Sequence, residues 1–168
     1  MREFRDIAAF LRFMEPMGGK MRIAGNAGLR DAAEVVAIEA QAEVGHYQAA
    51  AGPFAAWAEL ADSTKEERVE LGFTENDPLL RTGALRDSIG IVAADGRAVV
   101  GSDSEVAVDM ELGTSRVPPR SFLGGAAVRK EAVAVNLMAG SVVNVLANAP
   151  RRASLEGVAA NSVHDIPF

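Results

Sequence analysis

Ser88-Ile89-Gly90-Ile91-Val92-Ala93-Ala94-Asp95-Gly96-Arg97-Ala98-Val99-Val100-Gly101-Ser102 carries the strongest β signal in the chain. Ile89, Ile91 and Ala93 alternate at the spacing of a strand with one buried face. Asp95-Gly96 suits the positive φ angles of a type I′ turn, and Ala98-Val99-Val100 is β-rich on the return. The stretch predicts an antiparallel hairpin over residues 88–101 that turns at Asp95-Gly96.

Downstream, residues 102–112 read two ways. Val106, Val108, Met110 and Leu112 alternate like a strand, while Ser102-x-x-Glu105 has the form of a capping box and Gly113 that of a helix stop. Pro118-Pro119 makes the next loop extended and stiff. Residues 122–148 then form a long alanine- and valine-rich helix that can bend at Gly140-Ser141 and is ended by Pro150.

Upstream, Phe4, Ile7, Ala8, Leu11 and Met14 give residues 2–14 helical spacing before Pro16. Residues 17–26 carry three glycines and read as a loop. Residues 31–48 give the clearest helix, with Ala33, Val36, Ala37, Ala40, Val44 and Tyr47 on one side. Gly52-Pro53 interrupts the chain, Ser63-Thr64 predicts a capped helical turn, and residues 72–78 read as a loop. The expected architecture is α+β: a small antiparallel sheet with a β-hairpin, packed by long α-helices. It forms one domain over residues 1–150, and residues 151–168, which show no periodicity, form an extended C-terminal arm.

A chain of 168 residues, 49% apolar and 24% charged, can bury a core without staples. It has no cysteine, which excludes disulfides, thiolate metal sites and thiol catalysis. Its net charge of −6 argues against a surface that grips nucleic acid or anionic lipid. No apolar run is long enough to span a bilayer, and the first six residues lack the order of a secretory signal. The expectation is a soluble protein made in a cytoplasm. Abundant alanine is compatible with subunit packing and equally with the codon bias of a GC-rich genome.

Candidate chemistry is sparse. His46 follows Glu43 by three residues and Glu39 by seven, so an acid–base or metal pair is conceivable, but no third ligand is in view. A helix-terminal histidine favoured by the helix dipole is the simpler reading. His164 lies in the unpatterned tail. Asp103, Glu105, Asp109 and Glu111 lack the ligand spacing and central glycine of a calcium loop. Neither Gly18-Gly19 nor Gly124-Gly125 is a phosphate loop, and no serine sits in a nucleophile elbow. Arg151-Arg152 is too small a basic spot for nucleic acid, and Trp57 reads as a core or interface anchor. The expectation is no enzyme activity, no metal and no cofactor.

The middle of the chain carries an ordered set of short motifs. Trp57-Ala58-Glu59-Leu60 leads to Ser63-Thr64-Lys65. Leu80-Arg81-Thr82-Gly83-Ala84-Leu85-Arg86-Asp87-Ser88-Ile89 precedes the hairpin. Val106-Ala107 leads to Glu111-Leu112-Gly113-Thr114, and Pro118-Pro119-Arg120-Ser121-Phe122-Leu123 closes the set. Over residues 57–127 this order resembles the tail-completion or head–tail joining (neck) proteins of long-tailed bacteriophages, including the Mu-like virion morphogenesis proteins. Val106 stands where that pattern has tyrosine, Ser121 where it has a second proline, and Ala61-Asp62 in a stretch that is more proline-rich there.

The resemblance implies helix over residues 104–112. It also implies a ring, commonly sixfold, between the head connector or head-completion protein and the tail terminator or tail tube. Such a ring is a virion component at the head–tail interface, made in the host cytoplasm and in contact with no membrane. DNA would pass through its channel without specific binding, between acidic walls that repel phosphate.

The expected subunit or partner interface is Glu111, Gly113, Thr114, Arg120, Phe122 and Leu123, around the stiff proline loop. Phe122 is equally readable as core. Arg120 is readable as bonded to loop carbonyls or to Glu111 rather than to a neighbour. The rival functions are a tail terminator capping the tail tube, a small enzyme built on Glu43 and His46, and a prophage adaptor protein.

Overall fold

The computed structural model describes residues 6–15 and 17–147. The elements run α1 (Ile7–Met14), α2 (Met17–Glu43), α3 (Asp62–Glu70), α4 (Ala84–Asp87), β1 (Ile89–Ala94), β2 (Arg97–Ser102), α5 (Val106–Leu112) and α6 (Phe122–Leu146). The fold is α+β, with long helices packed on one two-stranded antiparallel sheet among the described residues. Residues 2–5, Pro16, Asn148, Pro150 and the expected arm at 151–168 lie outside them.

The hairpin forms with Ile89 opposite Ser102 and Ala94 opposite Arg97. Asp95 and Gly96 both take positive φ, 49° and 76°, as a type I′ turn requires. The hydroxyls of Ser88 and Ser102 meet at 2.6 Å and close the open end. Ile89 and Ile91 are fully buried, so the alternation marks a true inner face.

That inner face rests on α2. Ala33, Ala37, Ala40 and Val44 join Trp57, Leu85, Ile89, Ile91, Ala107, Phe122 and Ala126 in one core. Gln41 Nε2 donates to Ile89 O at 3.0 Å and ties the helix to the strand. α2 packs most extensively on α6. Gly28 lies against Ser141, and Glu43 against Arg129, so the two helices run antiparallel. A Cβ at Gly28 would stand 2.8 Å from Ser141 Cβ and 3.1 Å from the Met138 backbone; glycine is what permits this approach.

Several expectations are corrected. Residues 17–26 are helix, not loop: α2 begins at Met17. Each glycine costs a helix about 1 kcal/mol, yet the segment only extends a helix already formed over its alanine-rich half. α2 also stops at Glu43 rather than Gln48, because Gly45 N turns to Pro78 O at 2.8 Å. α3 is present, but Ala61 is its N-cap and no side chain caps it.

Residues 106–112 are helix and end at Gly113, against the strand-like alternation. No capping box forms there: Ser102 Oγ instead accepts from Ser104 N at 3.0 Å. α6 runs through Gly140-Ser141 without a break, with Ser141 Oγ bonded to Leu137 O at 2.8 Å.

Candidate functional site

The segment from α5 to the start of α6 is a closed frame of hydrogen bonds. Glu111, in the last turn of α5, reaches across to the first turn of α6. Its Oε2 accepts from Leu123 N and its Oε1 from Gly124 N, both at 2.9 Å. A carboxylate there satisfies two orphan amides and meets the positive end of the helix dipole. Ser121 Oγ donates to Glu111 O at 2.9 Å, and Arg120 N to Met110 O at 2.7 Å.

Between the helices the chain reverses at Gly113, whose φ is 75°. A Cβ there would stand 2.8 Å from Pro119 N, so the position needs glycine both for its φ and for space. Thr114 Oγ1 accepts from Arg116 N and Val117 N, and Thr114 N donates to Val117 O at 2.8 Å. The proline loop is therefore braced from within, and Arg116, Pro118 and Pro119 are exposed on it.

The six expected interface residues divide on this geometry. Phe122 is 0% exposed and belongs to the core, and Leu123 packs against that core. Their apolar neighbours from α2 and β1 outcompete any surface role for the Phe122 ring. Arg120 is 4% exposed and takes the loop-carbonyl alternative: its Nη2 donates to Ala58 O at 2.9 Å and Glu59 O at 3.3 Å. Glu111 is turned inward as the cap, Gly113 is conformational, and Thr114 is exposed but bonded within its own loop. The structure brings these residues together as a scaffold. What they border is open.

Of the six, Arg120 alone lines that opening, a groove of about 630 Å³ between the α3 entrance, the loop before α4, α5 and the proline loop. Its apolar lining includes Leu60, Leu79, Leu85, Met110 and Val117, and its charged lining is Arg68, Arg81, Arg116, Arg120 and Glu59. Arg81 pairs with Glu67 at 3.0 Å. Arg68 bonds to the carbonyls of Thr74 and Leu80, and Arg120 to those of Ala58 and Glu59. Arg120 Nε is buried with no partner, and burial lowers the Arg120 pKa. Sequence reasoning missed this groove. Its walls come from residues 59–68, 79–85 and 104–120, and no local pattern joins them.

Glu43 and His46 do not form a pair. Glu43 Oε1 accepts from Arg129 Nη1 at 2.6 Å, and Glu39 pairs with Lys130 at 3.0 Å, so both acids face α6. His46 is exposed past the helix end. Among the described residues no group of three or more His, Asp or Glu side chains could hold a metal ion.

Burial pushes the Glu43 carboxyl up to about 7; Glu39 and Glu111 add to this, and Arg129 opposes it. The folded chain therefore holds a proton that the unfolded chain releases from its ordinary value of 4.5 upward. Stability should fall as pH rises from about 4.5 to about 7, by about 3 kcal/mol, and level off above. Urea melts across this range should show that slope in the native chain and a flat line in Glu43→Gln. A slope that survives Glu43→Gln places the titration on another group.

The described surface exposes several aliphatic side chains. Val106, Val108 and Leu112 project from α5, and Val133, Val135, Val143 and Leu146 from α6. No helix among the described residues is long and apolar enough to cross a membrane. No protein-family model, curated protein or solved structure matches this chain.

Proposed function

We propose that the chain is a structural subunit of a phage neck: a head–tail joining ring between the head connector and the tail. The observation that carries this reading is how the separate pieces of the neck-protein pattern meet. Arg120, from the last piece, donates to Ala58 O and Glu59 O of the first. Glu111, from the third, caps the helix that Phe122 and Leu123 begin. Within the second, Thr82 Oγ1 accepts from Ala84 N at 3.3 Å just before the hairpin. Two of these contacts join separate pieces of the pattern into one frame.

Two further features support it. The exposed valines and leucines of α5 and α6 are the kind of apolar surface that neighbouring subunits cover. A net charge of −6 suits the wall of a channel through which DNA must pass without being held. The ring would extend or seal that channel and give the tail terminator or tail tube a docking surface, without enzymatic chemistry. The test is to disrupt the gene in its phage and image the particles by electron microscopy. Filled heads and finished but separate tails are expected.

A further inference from the structure

We infer that the arginine-lined groove is one half of a self-recognition surface, and that its occupant is the outer face of α5 from a second copy of this chain. The argument starts from charge. Arg68, Arg116 and Arg120 line the groove, and none has a carboxylate partner among the described residues. Glu59, the one acidic residue of the lining, faces Lys65 at 3.5 Å. The groove is therefore positive within a chain of net charge −6. Apolar side chains lie among these cations, so the fitting ligand is both acidic and apolar. A small anion would leave the apolar lining uncovered.

α5 presents such a surface on the side away from its own groove. Successive residues of a helix are separated by about 100°. Val106 and Met110 thus share the face that lines the groove, while Val108, Leu112 and Glu105 point away from it and Asp109 lies at the edge between the two, about 60° round from Val106. On that outer face Val108 is 64% and Leu112 72% exposed, and Glu105 and Asp109 are exposed beside them. Two aliphatic side chains bordered on one side by two carboxylates complement an apolar groove that carries guanidinium groups.

One helix therefore separates a cationic groove from its acidic counterpart. Two different patches on one chain make a heterologous, head-to-tail contact, which closes into a ring when the rotation per subunit permits. The inference rests on the self-association within the proposed function and not on any position in a virion.

The test is light scattering of the purified full chain after size exclusion, with two charge reversals at exposed positions, Asp109→Arg and Arg116→Glu. Each alone should weaken association at least tenfold while leaving the thermal melt unchanged. An equimolar mixture of the two variants should assemble again, because Arg at position 109 of one copy meets Glu at position 116 of the next. The double variant in a single chain should do likewise.

Singles that assemble as well as the native chain would overturn the groove assignment and leave the ring standing. Loss in both singles without rescue in the mixture would also overturn it, and would point to another acidic, apolar partner. A native chain that stays monomeric at every concentration would defeat both the groove assignment and the ring.

Discussion

Phe122→Ala is expected to cost the folded chain about 3–5 kcal/mol, enough to remove a large share of the stability of a domain this size. The ring is 0% exposed and sits where α6 begins, in one core with Ala33, Ala37, Ala40, Val44, Trp57, Ile89 and Ile91. Most of these neighbours are small or rigid, so they cannot collapse into the space left, and the cavity persists. Sequence alone leaves Phe122 as readily core as an anchor for a neighbouring subunit, and as an anchor its loss would weaken association and spare folding. Burial decides for the core. Urea melts should show the midpoint drop in the variant, with assembly failing only as a consequence. An unchanged melt beside lost assembly would return Phe122 to an interface.

Arg120→Ala is expected to cost about 2–3 kcal/mol, from two charge-assisted hydrogen bonds and the packing of the buried stem. Its guanidinium ties the Trp57 segment to the proline loop, through Ala58 O and Glu59 O. Burial of the cation works against it, as its lowered pKa indicates, but the group stays protonated at any ordinary pH. Arg120→Lys should recover less than half of the loss, since an ammonium cannot reproduce the forked donor geometry. Equal melts for all three proteins would show that Arg120 does not hold the segment.

Legibility in the sequence tracks the range of the interaction involved. The hairpin needs only alternation and Asp95-Gly96, and both strands and the turn lie where these put them. The stop at Gly113 is equally local. The start of α2 was not legible, because residues 17–26 have poor helix propensity and are helical through continuity with the alanine-rich half of α2. Its end was not legible either, since Pro78 supplies the carbonyl that draws Gly45 out of the helix.

Around the proline loop the core place of Phe122 and the loop-carbonyl bonds of Arg120 are among the alternatives the sequence offers, while the capping role of Glu111 is not. Glu111 as a cap depends on α6 folding back beside α5, and Glu43 meets Arg129 across 86 residues of chain. The groove is the extreme case, because none of its walls is a motif by itself.

The most direct measurement of the proposed neck function is negative-stain electron microscopy of virions produced with the gene disrupted, beside those produced when the native chain is supplied. DNA-filled heads and complete but unattached tails are predicted in the disruptant, with joined virions restored by complementation. Normally joined virions in the disruptant would contradict the account.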